Sequence, residues 1–149
     1  MDIEDFFISY RKTNLKKGEF IKSVSIPKLT ATQKFRAYKV SKRYDQDISA
    51  VIGAFLIEFN QERVAKTIIA FGGMDSTPRR ALHSEKQLTG ETWTEENINK
   101  VSEKISEEFK PISDLRASST YRSQVAGNLF KRFYFDLVDP NKPNQVVDL

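Results

Sequence analysis

The segment 39–47, KVSKRYDQD, holds the residues of this sequence with the clearest capacity for chemistry. Its candidate cofactor-binding residues are Lys39, Arg43, Tyr44, Asp45 and Asp47. Clustered carboxylates can perform acid–base chemistry or hold a hard metal ion, but the neighbouring cations favour a self-neutralising turn. A rigid turn that presents a lysine beside carboxylates can also meet a planar polar ligand, and the sequence favours this role.

Other residues capable of chemistry lack the partners that a site requires. His83 is the single histidine, and without zinc ligands or a serine–acid pattern nearby it is predicted to lie at the surface or to cap a helix. Gly72 and Gly73 match no phosphate-binding glycine pattern and are predicted to end a strand in a tight turn. The absence of cysteine excludes disulfides, thiolate-held iron–sulfur clusters and a cysteine nucleophile. No metal site and no complete catalytic constellation are predicted.

Size and composition indicate one soluble domain. A chain of 149 residues has the length of an ordinary domain. Its longest apolar run falls far short of the roughly 20 residues that a membrane-spanning helix needs. The N-terminal MDIEDFF is acidic, whereas a secretory signal peptide begins with basic residues. We therefore expect a cytoplasmic protein.

The elements that must position the segment 39–47 are strands. Strands are predicted at 20–26, 34–41, 48–59 and 64–71, and residues 3–10 are predicted to form one or two turns of helix. The strand at 34–41 places Phe35, Ala37 and Lys39 on one face and Arg36, Tyr38 and Val40 on the other. Short links between the strands, including a hairpin turn at 60–63, favour an antiparallel sheet.

Three helices are predicted after the strands. The first covers 79–88, with Thr77 as its N-cap and Pro78 at the first helical position. The second begins after Thr94 and the third runs from Ser118 to about Leu137. Their apolar stripes are Ile98, Val101, Ile105 and Phe109 in the second, and Tyr121, Val125, Leu129, Phe133 and Leu137 in the third. Strands followed by helices predict an α+β fold, with a three- to four-stranded antiparallel sheet and three helices packed on one face.

Two further features are predicted to be structural. Asp114 and Arg116 flank the start of the third helix, and Arg122 lies one turn inside it. This pattern predicts an ion-paired helix start that locks the helix to the sheet. Trp93, just before the second helix, is predicted to be a hydrophobic staple or a core anchor.

Five runs of the chain together resemble a known family. In order, they are FFISYRKTNLKKGEFIKSVSIP, FRAYKVSKRYDQDISAV, IAFGGMDSTPRRA, WTEENI and DLRASSTYRSQVAGNLFKRF. They are similar to the C-terminal part of the FAD-binding subunit of molybdenum hydroxylases, as in the small subunit of bacterial xanthine dehydrogenase and, more distantly, carbon monoxide dehydrogenase flavoprotein. The expected domain covers residues 6–137, with 138–149 as a tail.

The resemblance implies a specific role. In the family this domain closes over the isoalloxazine side of FAD, while N-terminal lobes hold the pyrophosphate. Lys39 corresponds to the lysine expected to touch the flavin, and Arg43 to Asp47 form the turn beside the flavin and the nicotinamide site. Gln46 interrupts an acidic run that many xanthine dehydrogenases have. The implied partners are the N-terminal FAD-binding lobes, an iron–sulfur domain and a molybdopterin subunit that oxidises purine; NAD is the implied electron acceptor, and the isolated chain is expected to be inactive.

A second hypothesis follows from charge alone. Residues 11–43 contain eleven basic residues against one acid, Glu19, which gives this segment a net charge of +10. Such a segment could bind nucleic acid or an acidic protein as a free-standing module, although lysine-rich strand faces are often only solvated. The spacing of Phe35 and Tyr38 is typical of core residues rather than of a base-stacking platform, which makes nucleic acid the less favoured partner.

Overall fold

An antiparallel sheet with helices on one face forms the body of the protein. The computed structural model describes residues 1–43 and 46–141. After a 3-10 turn at Ile3–Asp5, the strands are β1 (Phe7–Ser9), β2 (Lys12–Thr13), β3 (Gln33–Val40), β4 (Val51–Asn60), β5 (Arg63–Gly72) and β6 (Arg79–Arg80). The helices are α1 (Leu82–Leu88), α2 (Glu95–Glu108) and α3 (Ser119–Val138). β1 and β2 form a separate hairpin, and the main sheet has the order β3-β4-β5-β6. The predicted α+β architecture is confirmed.

The register divides the main sheet into two faces. Val51, Phe55 and Ile57 of β4 are buried on the side that packs against the helices, which we call the helix face. The other side, the open face, consists of three rows of directly paired residues: Phe35–Leu56–Ile68, Ala37–Ala54–Ala70 and Lys39–Ile52–Gly72. Residues of the open face are exposed or half-buried, so the described helices leave this side of the sheet uncovered.

Aromatic rings fill the space between the helix face and the helices. The Phe55 ring lies 5.4 Å from the Phe71 and Phe130 rings and 5.6 Å from the Phe133 ring, measured between centroids. Loss of such a buried ring costs roughly 3–5 kcal/mol. Trp93 packs against Phe59, Phe130, Phe133 and Tyr134, which confirms it as a core anchor.

The two long helices begin where their sequences indicate. The Thr94 side chain accepts a hydrogen bond from the Asn97 amide, and the Ser118 side chain accepts one from the Tyr121 amide. The predicted stripe of α2 is buried, but that of α3 is only partly correct because Tyr121 is 47% exposed. Steps of four residues rotate by about 40° each around a helix of 3.6 residues per turn, so a strict four-residue stripe drifts out of the core. The buried face of α3 comprises Arg122, Ala126, Gly127, Leu129, Phe130 and Phe133.

The first helix starts later than its sequence suggests. Arg79 and Arg80 pair with Phe71 and Ala70 as strand β6, so Thr77 and Pro78 do not begin a helix. Helix α1 starts at Leu82. Its first amides are satisfied from a distant element, because the Glu108 carboxylate of α2 accepts hydrogen bonds from the backbone of His83 and Ser84 at 2.9 and 3.0 Å.

The predictions for the N-terminal region are wrong. Where one or two turns of helix were predicted at 3–10, the chain forms a short 3-10 turn and then enters the β1–β2 hairpin, and the segment 20–26 forms no strand. Alternation of apolar residues does not supply the hydrogen-bonding partner that a strand needs, and the fourth strand of the main sheet is β6 instead. None of the helices in the described part of the chain is both long and apolar enough to cross a membrane.

Residues 1–30, which we call the arm, expose an unusual number of large apolar side chains. Phe20 is 80% exposed and Ile26 is 83% exposed. The others are Met1, Ile3, Phe7, Ile8, Tyr10, Leu15, Ile21, Val24 and Leu29. An ion pair of 2.7 Å between Glu4 and Arg80 connects the arm to the body. Exposed apolar surface of this extent is typical of a region that is covered by another protein segment.

Candidate functional site

Strand β3 determines which candidate residue faces outward. Successive side chains of a strand alternate between its faces. Tyr38 therefore points to the helix face, where it is 9% exposed, and Lys39 lies on the open face with an exposed side chain. Ile52, directly across from Lys39 on β4, is 39% exposed. The Lys39 side chain is thus on the face turned away from the helices, and its paired residue Ile52 offers accessible apolar surface.

The turn that follows β3 is held together by its own charges. The Arg43 amide donates a hydrogen bond to Asp47 Oδ2 at 3.0 Å, and the Arg43 guanidinium lies 3.5 Å from Asp47 Oδ1. The hydrogen bond from the Arg43 amide holds the pKa of Asp47 below its usual range, with help from the guanidinium charge. The Asp47 side chain is 18% exposed and the Arg43 side chain 75% exposed. Asp47 is therefore engaged within the turn, while Arg43 extends from it.

Tyr44 and Asp45, the remaining predicted site residues, lie outside the described residues, whereas the residues on either side of them are described. Gln46, which interrupts the acidic run, is exposed and has a left-handed backbone with φ 49°. Lys42 donates a hydrogen bond to the Leu115 carbonyl at 2.6 Å, so the turn is connected to the loop before α3. Lys39 near the end of β3, and Arg43 and Asp47 in the turn that follows, therefore lie at one end of the sheet.

The predicted ion-paired start of α3 is present, and it is more buried than its sequence suggests. Asp114 Oδ1 lies 2.7 Å from Arg122 Nη2, and Asp114 Oδ2 lies 3.1 Å from Arg116 Nη1. Hydrogen bonds from the amides of Arg116 and Ala117, together with Arg122, hold the pKa of Asp114 far below its usual range. Arg122 is 3% exposed and donates to the backbone carbonyls of Ala50 and Gly73. No pattern of side chains in the sequence indicates these two carbonyl acceptors.

A second polar contact attaches β3 to α3 on the helix face. The Tyr38 hydroxyl donates a hydrogen bond to Asp136 near the end of α3, and the Arg132 guanidinium lies 4.9 Å from the centre of the Tyr38 ring. Burial, followed by the hydrogen bond to Asp136, raises the pKa of Tyr38 above its usual range. This contact fixes the strand that carries Lys39, and the sequence reasoning missed it because the two residues are 98 positions apart.

The other candidates from the sequence are structural or isolated. His83 is exposed on α1, as predicted. Gly73 has a positive φ of 82° and follows directly after β5, which confirms the strand-ending turn. Within residues 1–43 and 46–141, no group of three or more metal-ligating side chains could hold a metal ion.

The donor set at the open face fits one part of a flavin. A flavin ring is flat and largely apolar, with hydrogen-bonding atoms along one edge. Phe35 and Ile52 offer exposed apolar surface, and Lys39 offers a cation on the same face. The spacing that suggested a core position for Phe35 was therefore misleading, because Phe35 alternates to the uncovered face. The described residues contain no glycine-rich cradle for a pyrophosphate. The residues present therefore fit the ring and not the dinucleotide part of FAD.

Comparison with known proteins finds similar proteins over most of the chain. A xanthine dehydrogenase and the nicotinate hydroxylase hnxS, both of Emericella nidulans, are each 33% identical to the chain over 139 residues, which is 89% of this chain and 10% of each relative. The chain thus spans about a tenth of the length of these relatives. A structure of carbon monoxide dehydrogenase from Hydrogenophaga pseudoflava shares the fold, with a TM-score of 0.80 at 23% identity over 86% of this chain and 44% of that one.

A sequence model of one domain family matches most of the chain. The family is described as the CO dehydrogenase flavoprotein C-terminal domain, and the match covers residues 36–137, from β3 to the last turn of α3. The resemblance to the C-terminal part of the FAD-binding subunit of molybdenum hydroxylases is thereby confirmed. The chain belongs to the CO dehydrogenase flavoprotein C-terminal domain family.

Proposed function

We propose that this chain is the part of a xanthine dehydrogenase-type flavoprotein that closes over the isoalloxazine side of FAD. The supporting observation is the position of Lys39 on the open face, beside exposed Ile52 and away from the helices. When bound, FAD would supply the capacity to accept two electrons and to pass them on as a hydride. Lys39 would place a fixed positive charge near the polar edge of the ring and so favour its reduced, anionic form.

Arg43 and Asp47 of the turn would also act at the edge of the flavin. Arg43 extends into solvent from the turn and would contact negatively charged or polar atoms of FAD or of NAD. Asp47 would hold that turn in shape through its bonds to Arg43. Tyr44 and Asp45 complete the proposed contact set. Together with Lys39, these four residues are the candidate cofactor-binding residues.

The proposal includes partners that supply the rest of the electron path. Segments that hold the FAD pyrophosphate would cover the open face. An iron–sulfur domain would deliver electrons from a molybdopterin subunit that oxidises a purine, and NAD would be the final acceptor. The exposed apolar side chains of the arm support the need for such partners, because Phe20 and Ile26 have nothing to pack on within the described residues. In isolation the chain would be inactive and free of flavin.

The test of this proposal is a lysine substitution in the complete enzyme. Lys39→Ala should change the equilibrium constant for two-electron reduction of the flavin by about tenfold or more, which is ~30 mV. Lys34→Ala is the matched control, since Lys34 is exposed on the same strand but alternates to the other face. Equal flavin spectra and reduction potentials in both variants and in the wild type would refute the role of Lys39.

One observation supports a second candidate function, the binding of nucleic acid. The basic segment 11–43 includes the exposed aromatic residue Phe20 among its lysines. A free-standing module for nucleic acid would use such a surface, and its affinity would fall steeply with salt because bound phosphates release counterions. Absence of binding to single- or double-stranded DNA and RNA at low salt would eliminate this candidate.

A further inference from the structure

Arg122 links three separate parts of the chain from a buried position. Its Nη1 donates hydrogen bonds to the Ala50 carbonyl and, at 3.1 Å, to the Gly73 carbonyl. Its Nη2 donates to Asp114 Oδ1 at 2.7 Å. Ala50 is the residue directly before β4, and Gly73 directly follows β5. One guanidinium therefore holds the start of one strand, the end of the next and the loop before α3.

The same loop holds the other side of the turn at 41–49. Lys42, just after β3, donates to the carbonyl of Leu115, the neighbour of Asp114. The Ala50 amide donates to the Val40 carbonyl at 2.7 Å and closes the base of the turn. Both ends of the turn are thus attached to the segment 114–122. We call Asp114, Arg122 and the two carbonyls that Arg122 binds, those of Ala50 and Gly73, the clamp.

Holding α3 against the sheet does not require the directed hydrogen bonds of the clamp. The apolar contacts of Phe130 and Phe133 already hold α3 against the sheet, but such contacts are non-directional. A buried guanidinium is costly to desolvate, and it is tolerated only where directed hydrogen bonds compensate it. Directed bonds to carbonyls fix distances and orientations, so the clamp defines where the turn begins and ends.

We propose that Asp114 and Arg122 are positioning residues that hold the two ends of this turn, residues 41–43 and 46–49, at the distance from the flavin edge on which the reduction potential of the flavin depends. This inference rests on the proposed function, because it requires a flavin beside the turn. Neither residue needs to touch the flavin. Each acts through the backbone of Ala50 and the loop at Leu115, and therefore through the placement of Arg43 and Asp47.

The experiment compares clamp variants in the complete, FAD-loaded enzyme. Arg122→Met removes the charge but keeps the side-chain stem, Asp114→Asn is a milder change, and Arg122→Lys restores a cation with one donor group. Hydrogen exchange of residues 41–50 should rise about tenfold in Arg122→Met. The two-electron reduction equilibrium of the flavin should shift by about tenfold, or ~30 mV. Arg122→Lys should lie between Arg122→Met and the wild type on both measures.

The matched control is another buried ion pair at the far edge of the sheet. Glu85 is 6% exposed, pairs with Arg80 at 2.5 Å and accepts a hydrogen bond from the Ile69 amide. Glu85→Gln should lower the melting temperature without moving the reduction potential or the exchange of residues 41–50. If Glu85→Gln shifted the potential as much as Arg122→Met, the effect would be general loss of stability and the clamp would be refuted.

The variants also separate this inference from the proposed function. A shift in Lys39→Ala together with unchanged potential and exchange in Arg122→Met and Asp114→Asn would overturn the clamp alone. If Lys39→Ala left the flavin unchanged as well, the flavin role of the whole chain would be overturned with it. Should Arg122→Met fail to fold, Asp114→Asn decides the question on the same two measures.

Discussion

Gly127 of α3 lies directly against the Ser102 carbonyl of α2. A Cβ atom at Gly127 would be 2.7 Å from that carbonyl oxygen and equally close to Ser106 Oγ. No real Cβ contact is this short, so the absence of a side chain at residue 127 determines how closely the two helices approach. Arg122 lies on the same helix, about 1.4 turns before Gly127.

Gly127→Ala should therefore destabilise the protein, although alanine is the better helix former by about 1 kcal/mol. The clash with backbone cannot be relieved by a rotamer change, and overpacking typically costs about 1–3 kcal/mol. We expect a net loss of about 1–2 kcal/mol in the free energy of unfolding, measured by urea denaturation. Asn128→Ala, at an exposed position of the same helix, should change it by less than about 0.5 kcal/mol. Stabilisation by Gly127→Ala would show that the helices can separate freely.

Gly73→Ala should lower the free energy of unfolding more than Gly127→Ala does, because a steric clash and an unfavourable φ both act at this position. Gly73 has φ +82°, and a Cβ atom there would clash with the Ala50 carbonyl oxygen. Left-handed strain of about 1–2 kcal/mol adds to a clash of similar size, giving a loss of roughly 2–4 kcal/mol on urea denaturation. Gly90→Ala is the control, since Gly90 has φ +90° but nothing within 4 Å of the added atom. Equal losses in the two variants would mean that contact with Ala50 is unimportant.

The Asp114 carboxylate should make stability fall in acid. Its pKa is held far below the usual value of about 3.9, first by the Arg116 amide and then by the Ala117 amide and Arg122. As the pH falls, the unfolded chain takes up this proton first. The stability from Asp114 is therefore present above about pH 4 and is lost as the pH falls towards the folded-state pKa. The difference in unfolding free energy between wild type and Asp114→Asn should be largest near pH 7 and shrink below pH 4. A difference that stayed constant from pH 7 to pH 3 would contradict this account.

Glu108→Gln should weaken the start of α1. The Glu108 carboxylate accepts hydrogen bonds from the amides of His83 and Ser84 and from the Ser84 hydroxyl, the last at 2.7 Å. Loss of the negative charge weakens all three bonds, and a cap of this kind contributes about 1–2 kcal/mol. Thermal denaturation should show the loss. Glu107→Gln, whose side chain is 72% exposed, should have a much smaller effect.

The spacing of apolar residues was sufficient to predict which side chains are buried where a helix or strand packs one face against its neighbour. The stripe of α2 and the alternation of β3 were predicted correctly because burial imposes both patterns, and the alternation alone placed Lys39 opposite Tyr38. The same reasoning failed for residues 20–26, where alternation occurs without a partner strand. It also failed at Thr77, because pairing of Arg79 with Phe71 competes with helix formation.

The site could be predicted only as a set of residues, not as an arrangement. The charges of the turn predicted that it would neutralise itself, and the structure shows Arg43 paired with Asp47. The acceptors of Arg122 are backbone carbonyls, which every residue has, so no pattern of side chains could identify Ala50 or Gly73. Contacts of this kind depend on the packing of α3 against the sheet, which is known only when the chain is folded.

The arm has a consequence for the life of the protein in the cell. Under the proposed function, other segments of the enzyme would cover the arm. Without that cover, Phe20, Val24 and Ile26 stay in water, and chaperones and proteases recognise such stretches. Protein with an uncovered arm should therefore be degraded faster than protein in which the arm is covered.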